Sequence, residues 1–424
     1  MTSATSLKTE PETERVVIVG AGQAGGRAAE ALRAAGFAGE IVLFGEERHE
    51  PYERPRLSKS VLLGEEPAAA ASMHPREWYA GHGIALRTRS RVEAIAPKSR
   101  SVITADGQRV EYSKLLLCTG SRVRPLTGAP EGLPGVHYLR TLEDSERLTA
   151  ELQPGRRLVV IGGGFIGLEV ASSALKRGLA VTVVERQPAL LDRALPAGIA
   201  AHVASLHAAH GASLRLGVPV ARIQGNASGN GSVKSVQLAD GVELPADLVV
   251  IGIGIIPNTE LAETAGAASS DGLVVDEYCR TTLEHVYAAG DVTNHYNPIL
   301  ERRVRLESWQ NAQNQAIAAA ENLAGKVRPY AEVPWFWSDQ HGTNIQMVGV
   351  AEPAMQIVWR GERLAFGLVN DRLRLAVGFN TGAEIRSARR LIEARAQLSA
   401  HRLADSAVRL KDLLTEATCS ASTP

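Results

Sequence analysis

The chain is 424 residues long, too long for one ordinary domain and suited to two or three of about 100–200 residues each. Its hydrophobic fraction of 45% allows sizeable cores, and 46 Lys plus Arg against 46 Asp plus Glu leave no global field for nucleic acid or an anionic membrane. No apolar run reaches the ~20 residues of a membrane span and the N-terminus lacks the layout of a signal peptide, so a cytoplasmic protein is expected. Cys118, Cys279 and Cys419 are widely spaced with no metal-ligand or disulfide pattern, and are expected to be buried or incidental thiols.

Residues 1–14 and the small, polar "TEATCSASTP" at 415–424 are expected to be poorly ordered. From 15 the pattern is a βαβ unit: a strand over 15–19, the loop "GAGQAG", an alanine-rich helix to about 35 and a strand over 41–44. In that loop Gly20 permits a tight turn, Gly22 lets the backbone approach a pyrophosphate, and Gly25 lets the helix pack close to the strand, with the phosphate charge at the helix N-terminus. Glu46, 21 residues past Gly25, supplies a carboxylate for the ribose hydroxyls of an adenosine. The next stretch, "GEERHEPYERPRLSKSVLLG", is too rich in charge and proline for a sheet. Short strand patterns lead on to "KLLLCTGS" at 114–121, an apolar strand ending in Gly120, and Thr141 is placed to cap a polar helix, "TLEDSERLTAEL".

The whole order then recurs. A strand over 157–161, a second loop with Gly162, Gly164 and Gly167, a helix, a strand over 180–184 and the apolar "DLVVIGIG" at 247–254 retrace the first unit, the two loops starting 142 residues apart. Repetition at that size is a duplicated dinucleotide fold rather than a short-period solenoid. Glu185, 18 residues past Gly167, accepts from a free 2′-hydroxyl and repels a 2′-phosphate, which favours NAD over NADP, although Arg186 beside it pulls the other way. Glu169 stands two residues past Gly167, in the first helical turn, where a carboxylate is favoured and lies near the ligand end of the loop. In "TTLEHVYAAGD" at 281–291, a strand ending at Gly290 puts the Asp291 carboxylate beside a ribityl chain reaching over from the first loop. That assigns FAD to the N-terminal loop and NAD(H) to the second.

After a helix near 308–324, the region from about 332 alternates strands ("NIQMVGV", "MQIVWR", "LAFGLVN", "LRLAVGF") with two closing helices. Trp335 and Trp337, two apart on a strand-like stretch, share one face, either as core or as a docking and flavin-shielding edge. Residues 384–412 hold seven Lys or Arg against four Asp or Glu, and "ERRVRLE" adds Arg302, Arg303 and Arg305. This basic set is either a docking site for an acidic partner or a solvated helix surface. His295 and His341 stand alone in loops and are read as incidental. The expected architecture is α/β, with two Rossmann-like dinucleotide-binding domains and a C-terminal α+β domain. The FAD domain is expected to be discontinuous over 1–121 and 255–331, the NAD domain to span 122–254, and the last domain 332–424.

The two loops together with "CTGS", "PYERPRLSK", "VYAAGD", "RLESWQNAQNQ" and "PWFWSDQ" resemble the FAD-dependent, NADH-using ferredoxin reductases that serve Rieske ring-hydroxylating dioxygenases and bacterial cytochrome P450s, over about residues 15–410. The resemblance implies a glutathione-reductase-like fold, hydride transfer from NADH to FAD, and single-electron delivery to a [2Fe-2S] ferredoxin by a monomer or homodimer. It implies that Lys59 of "P-x-L-S-K" lies by the flavin and pairs with Glu169 of "G-x-x-G-L-E", these two carrying the catalysis. It further implies that Gln23, Ala24, Arg54, Val92, Thr119, Gly120, Arg140, Gly290, Asp291, Glu307, Ser308 and Trp309, with Phe165, Ile166 and Gly254 of the second unit, contact the cofactors. Arg56 stands where many relatives carry a second proline, so the backbone there is expected to differ. The cofactors supply the chemistry and the protein their alignment, so no activated nucleophile is required. The absence of a C-x-x-x-x-C pair near the first loop and of a cysteine in "RLSKS" argues against disulfide reductases and NADH peroxidases. An NADH oxidase or rubredoxin reductase of the same fold, or a redox-sensing flavoprotein resembling apoptosis-inducing factor, are the alternatives.

Overall fold

The computed structural model describes residues 14–130, 132–226 and 231–420. The chain begins in a parallel five-stranded sheet ordered Val286–Ala288, Lys114–Leu117, Arg15–Val19, Glu40–Phe44, Ile84–Arg87. Val16, Val17, Ile18, Leu115, Leu116 and Leu117 are fully buried. Both faces of the central strands are covered, so Arg15–Val19, Glu40–Phe44 and Lys114–Leu117 run apolar after their first residue, without polar alternation. The helix Gln23–Ala34 packs against Trp309–Leu323 through Ala24, Ala28, Ala312, Ala316 and Ala319, and side chains that small let the two axes approach closely.

A second parallel sheet repeats the first: Ser213–Leu216, Ala180–Glu185, Arg157–Ile161, Leu248–Ile251, Val136–His137. Between the sheets run two antiparallel segments, Ser121–Val123 and Ile255–Pro257, by which the chain leaves the first unit and returns to it. The last region is an antiparallel sheet ordered Trp335–Gln340, Thr343–Gly349, Arg372–Phe379, Leu364–Val369, Gln356–Arg360. Alternation along its strands gives it two apolar faces. Ile345, Leu375, Val377 and Phe379 share one core with Leu168, Ala171 and Val203 of the second unit, while Val348, Phe366 and Ala376 pack on Ile385, Leu391 and Ile392 of the closing helices. Burial of the valine, leucine, isoleucine and phenylalanine side chains among these stabilises by roughly 1.5–3 kcal/mol each.

Several expected boundaries move, for one physical reason. The strand expected to end at Gly120 stops at Leu117; Gly120 takes φ +62 and Ser121 begins a new pairing. The strand expected over 247–254 keeps only Leu248–Ile251, after which Gly254 at φ +105 leads into a separate strand, Ile255–Pro257; the strand before Asp291 ends at Ala288, with Gly290 at φ +87. Apolar composition continues past each strand, but a positive-φ glycine turns the chain out of the ladder. The charged stretch after residue 45 contains the 3₁₀ segment Arg54–Ser58 and the short helix Ser60–Leu63, with Arg56 ion-paired to Glu66 at 2.9 Å. Thr141 caps Leu142–Glu151 in a capping box with Asp144.

Among the described residues, three helices rather than two follow the last sheet: Gly382–Glu393, Ala400–Ala404 and Leu410–Ser420. The last of them carries regular structure through 415–420, whose composition alone suggested poor order; 1–13 and 421–424 lie outside the described residues. Cys118 and Cys279 are buried and free, and burial pushes both thiols up, which keeps them protonated and unreactive. The Cys419 side chain lies outside the described residues.

Candidate cofactor site

The two glycine loops have nearly superimposable local geometry. Gly20 takes φ +109, and a Cβ on it would sit 2.1 Å from Cys118 O; a Cβ on Gly25 would sit 1.8 Å from Gly20 O. Helix start and strand end therefore meet backbone to backbone. At Gly22, by contrast, a Cβ would meet nothing within 4 Å, so the loop faces open space in front of the first N–H groups of the helix. In the second loop Gly162 also takes φ +109 with its would-be Cβ 2.4 Å from Gly252 O, Gly167 approaches Gly162 O at 2.2 Å, and Gly164 has nothing nearer than 3.9 Å.

A cavity of about 1310 Å³ opens above the first loop, larger than the ~300–1,000 Å³ of an ordinary small-ligand pocket. Gly20, Gly22, Gln23 and Ala24 form its floor, and Glu46, Arg54, Lys59, Val92, Thr119, Gly120 and Arg140 line it with Gly290, Asp291, Glu307, Ser308 and Trp309. Ile166 and Glu169, from the helix after the second loop, reach the same cavity. Gly25 lies behind the loop as a packing residue. Gly162, Gly164, Phe165, Gly167, Glu185 and Gly254 cluster around the second loop instead. Both amide atoms of Gln23 and Nε of Arg140 are buried without a partner among the described residues. Orphaned donors and acceptors beside an open glycine loop fit a dinucleotide, because buried polar groups are otherwise nearly always paired.

Asp291 accepts from Ser121 Oγ at 3.0 Å and lies 3.4 Å from Arg140 Nη2. Burial, then the nearby Arg54 cation, lowers Arg140 from its ordinary value against the pull of Asp291. Arg54 donates to the Arg140 carbonyl at 2.6 Å and ion-pairs with Glu47 at 2.6 Å, while Tyr52 donates to Glu47. Sequence reasoning missed Ser121, Tyr52 and Glu47; Tyr52 and Glu47 are near neighbours of Arg54 in the chain, whereas only the fold brings Ser121 to Asp291. Glu46 stands at the cavity wall, ion-paired with Arg91 at 3.1 Å. Glu307 pairs with Arg305, which also reaches Asp271 at 3.0 Å, and Ser308 caps the helix that Trp309 begins.

Lys59 Nζ lies 2.8 Å from Glu169 Oε1. Glu169 is only 2% exposed and also accepts from Ser58 Oγ and, at 2.6 Å, from Ser338 Oγ. Lys59 stands 5.8 Å from the centre of the Trp337 ring, which meets Trp309 edge-on at 5.7 Å. Ser58 and Ser338 gave no sign in the sequence beyond adjacency to Lys59 and Trp337. Phe165 packs on Phe336 with ring centroids 4.4 Å apart.

Around the second loop, Glu185 Oε2 accepts from Gly163 N and Oε1 from Gln187 N, both at 2.8 Å. The carboxylate thus braces its own loop, and each oxygen retains a lone pair for a ribose hydroxyl. Gly254 lies where a Cβ would be 3.0 Å from the Arg193 guanidinium.

Other expectations change in the folded molecule. Trp335 and Trp337 stack at 5.1 Å on one face, yet they divide the two roles: Trp335 packs on the closing-helix core and Trp337 lines the cavity. His295 lies in the strand Thr293–Asn297 and is buried, because its neighbours alternate inward there. His341 is not alone either: it lies 3.1 Å from His207 and stacks on His210, residues far off in sequence. Much of the basic set is internally paired, with Arg389 bridging Glu332 and Glu393, Arg409 on Asp412, and Arg303 on the Asn294 carbonyl.

Among the described residues no helix is long and apolar enough to cross a membrane, and no group of three or more His, Cys, Asp or Glu could hold a metal ion. Residues 335–414 match the family model described as reductase C-terminal. The chain is 44% identical over 404 residues to the anthranilate 1,2-dioxygenase system ferredoxin–NAD(+) reductase component of Burkholderia cepacia, covering 94% of this chain and 98% of that one. It is 37% identical over 412 residues to putidaredoxin reductase CamA of Pseudomonas putida, covering 95% and 97%. The crystal structure of the covalent putidaredoxin reductase–putidaredoxin complex matches with a TM-score of 0.92 at 37% identity, covering 96% of this chain and 99% of that one. The ferredoxin reductase for the CYP199A2 system from Rhodopseudomonas palustris matches at 0.89 and 36%, covering 95% and 100%. Family and relatives imply FAD and NAD(H) as cofactors. Through its two glycine loops, its paired parallel sheets and the match of residues 14–316 to their model, this chain belongs to the pyridine nucleotide-disulphide oxidoreductase family.

Proposed function

We propose that this protein is an NADH-dependent ferredoxin reductase, with FAD in the cavity of the first loop and NADH on the second, supplying an oxygenase of the Rieske dioxygenase or cytochrome P450 kind. The observation that carries the reading is the Lys59–Glu169 pair, which joins the FAD-side cavity to the helix after the NAD-side loop; that helix begins at Phe165, so Glu169 is its fifth residue and lies beyond the first turn expected from the sequence. FAD, when bound, would supply the chemistry that links a two-electron hydride donor to a one-electron acceptor. The chain's own residues bind and orient. Gly22 and Gly164 leave room for pyrophosphates, Asp291 and Glu46 offer acceptors to hydroxyls, and Glu185 does so for the nicotinamide nucleotide. Lys59 stands as a fixed cation at the cavity wall, while Trp337 and Ile166 restrict water there.

The relatives named as ferredoxin reductase components support a ferredoxin as acceptor, and the proposal takes it to be of the [2Fe-2S] type. The proposal includes the division into a discontinuous FAD domain, an NAD domain and a C-terminal domain, working in the cytoplasm as a monomer or homodimer. Anaerobic mixing with NADH should bleach the flavin rapidly, and cytochrome c reduction should require added ferredoxin. Fast oxygen reduction with no dependence on ferredoxin would refute the assignment.

A further inference from the structure

Glu169 ends a buried chain of polar side chains that runs away from the cavity. Its Oε1 accepts from Ser338 Oγ at 2.6 Å, Ser338 Oγ accepts from Gln340 Nε2 at 2.9 Å, Gln340 Oε1 lies 2.8 Å from His207 Nε2, and His207 Nδ1 lies 3.1 Å from His341 Nε2. His341 is partly exposed and stacks on His210, with ring centroids 4.2 Å apart. Ser338, Gln340 and His207 are wholly buried. Ser338 and Gln340 sit two apart on one strand, hence on one face, while Glu169 and His207 come from two different helices of the second unit.

The direction of every bond follows from the carboxylate. Glu169 can only accept, so the single Ser338 proton points to it and Ser338 must accept from Gln340. That fixes which end of the amide faces Ser338; the carbonyl end faces His207, which therefore carries its proton on Nε2. A neutral His207 then accepts at Nδ1, and His341 donates from Nε2. All donors point toward Glu169, and bonds in such a row polarise one another. Burial lowers His207 despite the Gln340 hydrogen bond, and burial with the neighbouring His207 and His210 lowers His341 to about 4, so both imidazoles are neutral near pH 7 and the direction is single.

We propose that Ser338, Gln340 and His207 are positioning residues for the Lys59–Glu169 pair: the chain aims the Glu169 carboxylate and so sets where the Lys59 ammonium stands in the cavity, with His341 as its outer anchor. This rests on the reading of Lys59 and Glu169 as the pair beside the flavin.

On the histidine-¹⁵N-labelled holoenzyme at pH 7, NMR should show His207 neutral and protonated at Nε2; neutron diffraction from wild-type holoenzyme crystals reads the same proton without a variant. Glu169→Met, which removes the terminal acceptor, should populate the Nδ1–H form of His207. Gln340→Met should slow flavin reduction by NADH about tenfold with FAD content and NADH Kd unchanged, a split expected of lost alignment. Ser338→Ala serves the same test if Gln340→Met does not fold. A wild-type His207 protonated at Nδ1, or reduction rates within twofold in both Gln340→Met and Ser338→Ala, overturns the proposal. If Lys59→Met and Glu169→Gln also reduce at the wild-type rate, the reading of that pair falls and this proposal with it; if they are slow and the strand variants are not, only the positioning role falls.

Discussion

Lys59 and Glu169 meet at 2.8 Å although one follows a 3₁₀ segment of the first unit and the other is the fifth residue of the helix after the second glycine loop. The pair crosses the boundary between the two nucleotide units, with Glu169 nearly inaccessible and Lys59 at the cavity wall. An ion pair in this position costs desolvation, so its worth lies in geometry more than in stability.

Removing the cation should therefore be harsher than neutralising the anion. Lys59→Met leaves a buried carboxylate with only hydroxyl donors and should cost about 3 kcal/mol or more. Glu169→Gln keeps one acceptor oxygen, for Ser338 or for Ser58, while the other hydroxyl can turn to accept from the new amide, and should cost less. Urea unfolding of the two variants checks the order, and stopped-flow mixing with NADH should show both slowed in flavin reduction by at least about tenfold.

The glycines of each loop should separate into folding and binding classes. Gly22→Ala adds a methyl to open space and should fold normally but lose FAD affinity by about tenfold or more, whereas Gly25→Ala drives a methyl into the Gly20 carbonyl and should fail to accumulate as folded protein. Gly164→Ala should keep full FAD content and weaken NADH alone. Flavin absorbance per chain and NADH titration distinguish these outcomes.

Asp291→Ala should purify pale. Its carboxylate is the shared acceptor for Ser121 and Arg140 at the cavity wall, and without it the half-buried Arg140 cation has lost an acceptor. A normally yellow Asp291→Ala protein would contradict the assignment of FAD to the first loop.

Glu185→Ala should raise the NADH KM roughly tenfold and relax the preference over NADPH, because the negative charge that repels a 2′-phosphate is gone. It also leaves the Gly163 and Gln187 N–H groups without their acceptor, at about 1–3 kcal/mol each if no water replaces it. Steady-state kinetics with both nucleotides and a melting curve separate the two effects.

Stability should fall between pH 6.5 and 4. Burial, with the nearby Arg303 cation, lowers His295 from 6.5 to about 4, so the unfolded chain binds a proton in that window that the folded one does not. The contribution is fully present above 6.5, is lost as pH falls toward 4, and amounts to about 3 kcal/mol. His341, also near 4, adds to the same slope. Urea unfolding at pH 7.5 and 4.5 should show a smaller loss for His295→Phe than for the wild type.

What the sequence determined by itself was local and periodic. The glycine spacings 20/22/25 and 162/164/167 dictate a strand-turn-helix because only glycine fits the backbone contacts there, and the apolar runs at 15–19, 114–117 and 157–161 dictate strands buried on both faces. Strand ends were less legible, since composition does not record where a glycine such as Gly120 or Gly254 turns the chain out of a ladder. Tertiary structure alone decided which polar residues act together. Ser338 and Ser58 reach Glu169, Ser121 reaches Asp291, and His207 reaches His341 only after sheets and helices from distant segments pack. A hydrogen bond depends on positions to within tenths of an ångström, and positions between elements are fixed by the cores that join them, to which no short stretch of sequence contributes more than a part.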